Sequence, residues 1–379
     1  MKFVDLFCGS GGLSIGLERA NFNCELAIDF DSSCIETFKF NHPKLDDFQV
    51  INEDISKSSW KSYTHLKNDL DLLCGGPPCQ GFSTANRQRL INDPRNMLYK
   101  DFIKSVNFFK PKAVLMENVS GIFNKKNQII SDFNSIGYDG ICLKINVKDY
   151  NIPQNRVRVL FIMFNKKYFK NDITHCISIF LDKLNTYKSI HNFKLKDAIE
   201  HLPKLSAKNI KNNTDFESED FGYTITKNLS SGINNYISLI NKSNKPFHLI
   251  YNHKSRYNNE RDIQIFSLLN EGEDSSSEKI SHLNPYKNRN HIFKDKYYKL
   301  VSDKISKTIT AHMKFDCNMY IHPSQSRGLT PREAARIQSY PDYFLFKGPF
   351  TKWYMQIGNS VPPLLSFYLG QSFKKVIYG

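Results

Sequence analysis

At 379 residues the chain is long enough to bury a large core and to form two domains. Its 52 Lys and Arg against 37 Asp and Glu give a net charge of +15, which suits a polyanionic partner. No apolar run reaches membrane length, and the eight cysteines form no CxxC pair and no Cys/His cluster at metal spacing, which excludes a membrane-spanning or zinc-type protein.

The first element is a β-rich opening, Met1 to Phe7, that runs straight into Cys8-Gly9-Ser10-Gly11-Gly12. A helical pattern follows, through Leu13, Ile15 and Leu17 to Ala20. Strand, glycine turn and helix make the first unit of a nucleotide-binding α/β sheet: the glycines allow close backbone approach and the helix start presents free amides. A second strand, Glu25 to Ile28, ends at Asp29, about 20 residues beyond the turn, where such folds place the acid for a ribose. A third, around Gln49 to Ile51, leads to Asp54-Ile55. The glycine spacing departs from the dinucleotide fingerprint. An acid after each of these two strands points to an adenosine-type ligand.

The apolar run Leu70 to Leu73 stops at Gly75-Gly76-Pro77-Pro78, with Cys79 at the tip. Proline fixes φ and removes backbone donors, so Cys79 sits on a stiff loop at a strand end, as a nucleophile or as a small buried filler. The polar stretch from Gln80 to about Asn96, with Arg87, Arg89 and Arg95, reads as a closing lid or as an ordinary surface loop. A strand from Ala113 to Met116 brings Glu117 to the same sheet edge, for chemistry or for a helix-terminal charge or salt bridge. In the strand Val157 to Phe164 and the residues before it, period two puts Arg156 and Arg158 on one face, toward a ligand or toward solvent.

From about 166 to 326 the alternation breaks up into Asn-, Ser-, Lys- and Tyr-rich sequence, read as a small, irregular, β-rich domain. A helical pattern returns from Gly328 to Tyr340. Asn359 and Ser360 precede Pro362 at the start of an amphipathic helix, Val361 to Tyr378, where capping is their plain role. The expected organisation is a domain over 1–165 completed by 356–379, a second over 166–326, and a hinge and small-domain helix over 327–355.

Six strings come in order: Asp5 to Gly12, Pro77 to Ser83, Glu117-Asn118-Val119, Gln154 to Arg158, Arg327 to Arg336, and Gln356 to Pro363. This ordered set resembles the bacterial and phage DNA (cytosine-5)-methyltransferases of restriction-modification systems. The match spans nearly the whole chain except the central stretch, which is the variable part in that family. The resemblance implies a Rossmann-like S-adenosylmethionine-dependent methyltransferase sheet with a second, smaller domain that recognises the DNA target. The last helix is expected beside the first strand. With the first string at residue 5, no N-terminal regulatory module is expected.

Cytosine carbon 5 is a poor nucleophile. A thiolate added across the neighbouring ring carbon makes an enamine whose carbon 5 can attack a sulfonium methyl group. The resemblance gives Cys79 that role, on a base taken out of the duplex. It makes Glu117 the acid at the ring nitrogen, with a raised pKa beside the flipped base, and puts Arg158 nearest the base with Arg156 in support. S-adenosyl-L-methionine is expected against Phe7, Gly9, Ser10, Gly11 and Gly12. Asp29, Asp54 and Ile55 follow at the next strands, and Pro78, Asn359 and Ser360 complete the cofactor set. Arg332 and Glu333 are expected to organise the small domain, and Lys254, Arg256, Lys304 and Lys307 to meet DNA.

The expected protein is a cytoplasmic, metal-free monomer acting on double-stranded DNA, with a cognate restriction endonuclease as a further partner. An RNA (tRNA) cytosine-5 methyltransferase and a silent, cofactor-binding DNA-recognition protein are the alternatives. Activity on duplex DNA with a labelled methyl donor separates all three.

Overall fold

A computed structural model describes residues 1–78, 98–189, 193–211, 215–227, 233–242, 249–289 and 296–379. Cys79 and the stretch from Gln80 to Asn96 lie outside the described residues. In chain order the first elements are β1 (Lys2–Leu6), α1 (Gly12–Arg19), β2 (Asn23–Asp29), α2 (Ser32–Asn41), β3 (Val50–Asn52) and β4 (Leu72–Gly75). They are followed by α3 (Leu98–Phe109), β5 (Ala113–Val119), α4 (Lys126–Ser135), β6 (Tyr138–Asn146), β7 (Gln154–Asn155), β8 (Val157–Asn165) and α5 (Ile173–Asn185).

Seven of these strands form one sheet in the order β3-β2-β1-β4-β5-β8-β6. Pairing is parallel from β3 to β5, and β8 runs antiparallel to both of its neighbours. This is the α/β sheet that the alternation of strands and helices implies. Its central strands are buried on both faces: Phe3, Val4, Leu6, Leu72, Leu73 and the run from Val159 to Phe164 are fully covered. Continuous apolar β-branched and aromatic runs suit that position, because helices cover both sides of a parallel sheet. Strand order reverses between β1 and β4, so the turn after β1 and the loop after β4 leave the same edge side by side. Ligands of such sheets bind at that switch point.

The last helix, α11 (Pro363–Tyr378), packs on α1 and on α5. Glycine is required at position 16, because a Cβ there would stand 2.3 Å from the carbonyl oxygen of Pro363. Phe180 of α5 meets Phe373 with ring centroids 4.8 Å apart. Helix α5 therefore belongs to the first unit, which comprises Met1–Asn151, Arg156–Ile190 and Ser360–Gly379. The division falls at residue 190 rather than at 165, because the apolar face of α5 has its partner in α11.

The second unit comprises Ile152–Asn155 and His191–Asn359. Among its described residues are helices α6 (Leu195–Ile199), α7 (Asn235–Asn241), α8 (Glu260–Leu268), α9 (Pro331–Ile337) and α10 (Phe350–Asn359). Among the described residues of this unit the strands are short and few. They are one antiparallel ribbon of β9 (Gly222–Lys227) with β10 (Leu249–Lys254), and the two-residue β11 (Ser306–Lys307) paired with β7. Buried charge organises this unit in place of a broad sheet. Arg327 and Glu333 form a two-bond pair at 2.8 and 2.6 Å, and Arg336 holds Asp342 at 2.7 and 2.9 Å. Arg332 donates to the carbonyls of Tyr251, Pro341 and Phe344. Residues 327–355 therefore belong to the second unit, with Arg327, Arg332, Glu333 and Arg336 in its interior. No described helix is long and apolar enough to cross a membrane.

Candidate active site

The glycine turn is set by the backbone and locked by Asp29. Phe7, Gly9 and Gly11 all have positive φ, at 61°, 53° and 93°. A Cβ on Gly11 would lie 3.0 Å from both the His42 imidazole and the Phe38 ring, so conformation and space both require glycine there. A Cβ on Gly9 would meet nothing within 4 Å, which leaves open room above that residue. Asp29, the last residue of β2, accepts from the amide of Gly9 through one oxygen and from that of Asp31 through the other, each at 2.9 Å. Burial pushes its carboxyl up, and these two amide bonds work against that rise. Beneath the turn, fully buried Asp5 accepts from the Ser14 hydroxyl at 2.6 Å, and burial pushes its pKa up to about 7.

Ser10 and Gly12 are buried in the same turn, Gly12 as the first residue of α1. Asp54 starts a short 3-10 turn, where it accepts from the Ser56 amide and hydroxyl; these bonds hold its carboxyl below the usual range. Ile55 behind it is buried. The end of β3 is tied to Asp29 by Asn52, which donates to the Asp29 carbonyl at 3.0 Å. One residue was passed over in the sequence: Phe30, directly after Asp29, is 71% exposed. The pattern of a single aromatic after an acidic strand end carries no periodicity signal. Open space over Gly9, a carboxylate at the strand end and an uncovered aromatic beside it fit an adenosine-type group such as S-adenosylmethionine.

The second cluster lies after β4 and β5. Gly75 is forced by the sheet, since a Cβ there would sit 2.0 Å from the Leu6 carbonyl oxygen. Gly76 keeps the chain close to Glu117, whose Oε2 would be 3.2 Å from a Cβ at that position. Glu117 Oε1 meets Arg158 Nε at 2.9 Å, with both side chains nearly buried. Burial presses the Arg158 guanidinium down, and the Glu117 charge opposes that shift. Asn118 donates to the carbonyl of Pro77 at 2.8 Å while its own oxygen accepts from the Val119 amide. It had no assigned role in the sequence, because that bond depends on how β4 and β5 are paired. Pro78 is described and half-buried at the end of this segment.

One expected residue, Arg156, stands elsewhere. Arg156 lies in the break between β7 and β8, so it does not share a strand face with Arg158. Its side chain is completely buried and donates to the Ser360 carbonyl at 2.9 Å. Asn359 ends α10 in the second unit, and Ser360 resumes the first. The last helix begins after Pro362, which itself stands at the N-cap position.

Two of the expected DNA-facing cations also turn inward. Lys254 pairs with Glu217 at 3.3 Å, and Arg256 donates to the carbonyls of Met313 and Phe315 at 2.7 and 2.9 Å. Lys307 lies over the rings of Tyr298 and Tyr320, while Lys304 is exposed. Cys74, the other cysteine near the loop, is fully buried with its thiol pushed well up by burial, which makes it inert as a nucleophile. Among the described residues no cluster of His, Cys, Asp and Glu could hold a metal ion.

A family model described as C-5 cytosine-specific DNA methylase matches residues 1–375. The type II methyltransferase M.DdeI of Desulfomicrobium norvegicum is 33% identical over 395 residues, covering 98% of this chain and 88% of its own. M1.HphI of Haemophilus parahaemolyticus, also a type II methyltransferase, is 30% identical over 388 residues, covering 99% and 87%. A crystal structure described as a DNA modification methyltransferase encoded within an E. coli prophage superposes with a TM-score of 0.75 at 26% identity, covering all of both chains. The S. pombe Dnmt2 methyltransferase, at 17% identity, a TM-score of 0.54 and coverage of 100% and 99%, shares the fold.

Proposed function

The chain belongs to the C-5 cytosine-specific DNA methylases and is a DNA (cytosine-5)-methyltransferase of the restriction-modification type; from that premise we propose how its residues carry the reaction. The Cys79 thiolate adds to the ring carbon next to carbon 5, on a cytosine flipped out of the duplex. The electron pair moves toward the ring nitrogen, where Glu117 supplies the proton and also accepts from the exocyclic amino group. Arg158 orients Glu117 and faces the base carbonyl. S-adenosylmethionine supplies an electrophilic sulfonium methyl group. Asp29 and the Gly9–Gly12 turn hold that donor, with Phe7, Ser10, Asp54, Ile55, Pro78 and Ser360 around it and Phe30 as an open face for an adenine ring. After transfer, water takes the carbon 5 proton, the electrons of that bond form the ring double bond and expel the thiolate, and the ring nitrogen returns its proton to Glu117.

The observation that carries this reading is the Glu117–Arg158 pair at 2.9 Å against Gly76, on the segment whose Pro77 is held by Asn118. It sets an acid, its orienting cation and the stiff approach to Cys79 at one sheet edge. Arg156 has a positioning role in place of a catalytic one, because its bond to Ser360 fixes the chain just before Arg158. The second unit reads the target sequence, and methylation protects host DNA from an endonuclease of the same target.

The test is Cys79→Ser with duplex DNA and a labelled methyl donor, alongside duplex DNA carrying 5-fluorocytosine. Methylation is expected to vanish in the variant while S-adenosylmethionine binding persists. The wild-type enzyme is expected to form a denaturant-resistant adduct, because fluorine cannot leave as a proton. A variant retaining more than a few per cent of activity, or an absent adduct, overturns the mechanism.

A further inference from the structure

The second unit braces one exposed aromatic unusually tightly. Ala311–Lys314 form a single 3-10 turn, and Phe315, the next residue, is 67% exposed. The backbone beneath it is held from three directions. Arg256, nearly buried, donates to the carbonyls of Met313 at 2.7 Å and Phe315 at 2.9 Å. Its guanidinium lies 5.7 Å from the centroid of the Tyr354 ring. Gly358 of α10 comes so close that a Cβ there would stand 2.2 Å from the amide nitrogen of Ala311. Tyr320 donates to the Thr308 carbonyl at 2.7 Å, which fixes the approach to the turn.

What this scaffold presents outward is apolar and basic together. Lys314 Nζ lies 4.8 Å from the Phe315 ring centroid, and the exposed His312 ring lies 6.1 Å from it. Met313 anchors the turn in the interior, while His312 and Phe315 are left exposed on its outer side. An apolar ring with cations beside it suits nucleic acid, where rings pack against bases or wedge at base steps and cations meet phosphates.

We propose that Phe315 is a specificity-determining residue of this methyltransferase, packed against bases of the DNA target, with Lys314 on a flanking phosphate and Arg256 as the positioning residue that holds the turn. The proposal rests on the reading of the second unit as the target-recognition part. A base contact must come from a rigid backbone to discriminate, and the two carbonyl bonds from Arg256 supply that rigidity.

Phe315→Ala is the direct test, read by kcat/KM on the target duplex, by bisulfite sequencing of methylated libraries and by S-adenosylmethionine calorimetry. By analogy with base-contact losses, kcat/KM is expected to fall roughly ten- to a hundredfold. Discrimination is expected to relax at one or two base pairs, with cofactor affinity unchanged and Phe315→Trp restoring most of the rate. Lys314→Ala is expected to weaken binding evenly across sequences and to lower the salt slope by about one. Arg256→Lys, checked for folding by its melting curve, is expected to reproduce the relaxed discrimination of Phe315→Ala. Wild-type kcat/KM and site choice in Phe315→Ala overturn the proposal. If exchanging the second unit transfers specificity while Phe315→Ala is silent, this inference alone falls. If Phe315→Ala shifts the target but the exchange does not transfer it, the wider reading of the unit falls instead.

Discussion

Asp29 illustrates how one side chain can serve both the fold and a ligand. Its two oxygens take the amides of Gly9 and Asp31, with the Phe30 amide also near, and a carboxylate keeps acceptor capacity beyond these for a ribose. Removing the carboxylate therefore deletes a ligand contact and also frees the turn that shapes the site. For Asp29→Ala the expected outcome is S-adenosylmethionine binding weaker by about ten- to a hundredfold, in line with one or two hydrogen bonds to a charged group. DNA binding is expected to stay near the wild-type value. Calorimetry that found the cofactor affinity unchanged would remove Asp29 from the site. The position of this acid was legible from its distance to the glycines, but its bond to Gly9 was not, since that depends on a left-handed backbone at the end of the neighbouring strand. Arg156 shows the same limit from the other side. A period-two reading put it on the ligand face, and a break in the strand after Asn155 turned it into the interior.

At the scale of elements, α9 depends on a charge buried at its first turn. Thr330 accepts from the Glu333 amide and Glu333 accepts from the Thr330 amide, so the helix start carries a reciprocal cap. The Glu333 carboxylate also takes both ends of the Arg327 guanidinium. Burial alone would push this carboxyl up, yet Arg327 outweighs it and holds the group well below its usual range. A carboxyl depressed in the folded state contributes stability that is present above its unfolded pKa and is lost as pH falls toward the folded value. Glu333→Gln leaves the Arg327 charge buried without its partner and is expected to cost about 3–5 kcal/mol, measured by urea unfolding at neutral pH. The same variant is expected to lose part of the wild type's destabilisation below pH ~4.5, where a free glutamate takes up its proton. A loss under about 1 kcal/mol, the range of an exposed pair, would show that the pair is solvated rather than buried. The helix itself was readable from Ala334, Ala335 and Ile337, and Arg332 and Glu333 were read correctly as structural. Helix α10 was not foreseen. Its Gly358 is needed for a close backbone approach to Thr310 and Ala311, contacts far apart in the sequence.

For the whole molecule, the chain passes out of the first unit after Asn151, returns at Arg156, leaves again after Ile190 and returns at Ser360. The sheet-forming alternation was plain in the sequence because β1, β2 and β4 are short apolar runs that stop at Gly or Asp, whereas β6 mixes Asp139 and Lys144 into its run and was not read as a strand. The boundary at 190 was not, because α5 is amphipathic and its partner α11 lies at the other end of the chain. All the residues proposed for chemistry and for the methyl donor fall in the first unit, while the described part of the second is organised by buried arginines and short helices. Specificity is therefore expected to travel with the second unit. Replacing residues 191–326 by the corresponding stretch of the Desulfomicrobium norvegicum relative is expected to transfer that enzyme's target while leaving the chemistry intact. Residues 327–359 stay in place because Arg327, Glu333 and Arg336 supply the interior on which the exchanged stretch must pack. The net charge of +15 adds a second readout: affinity for duplex DNA is expected to fall steeply as salt rises, as counterion release requires. Phosphate contacts set that slope without carrying sequence information, so a chimera can keep the slope and change its target. Bisulfite sequencing of DNA methylated by the chimera decides the matter. An active chimera that still modifies the original site would place recognition outside the second unit, most simply in the stretch that follows Cys79.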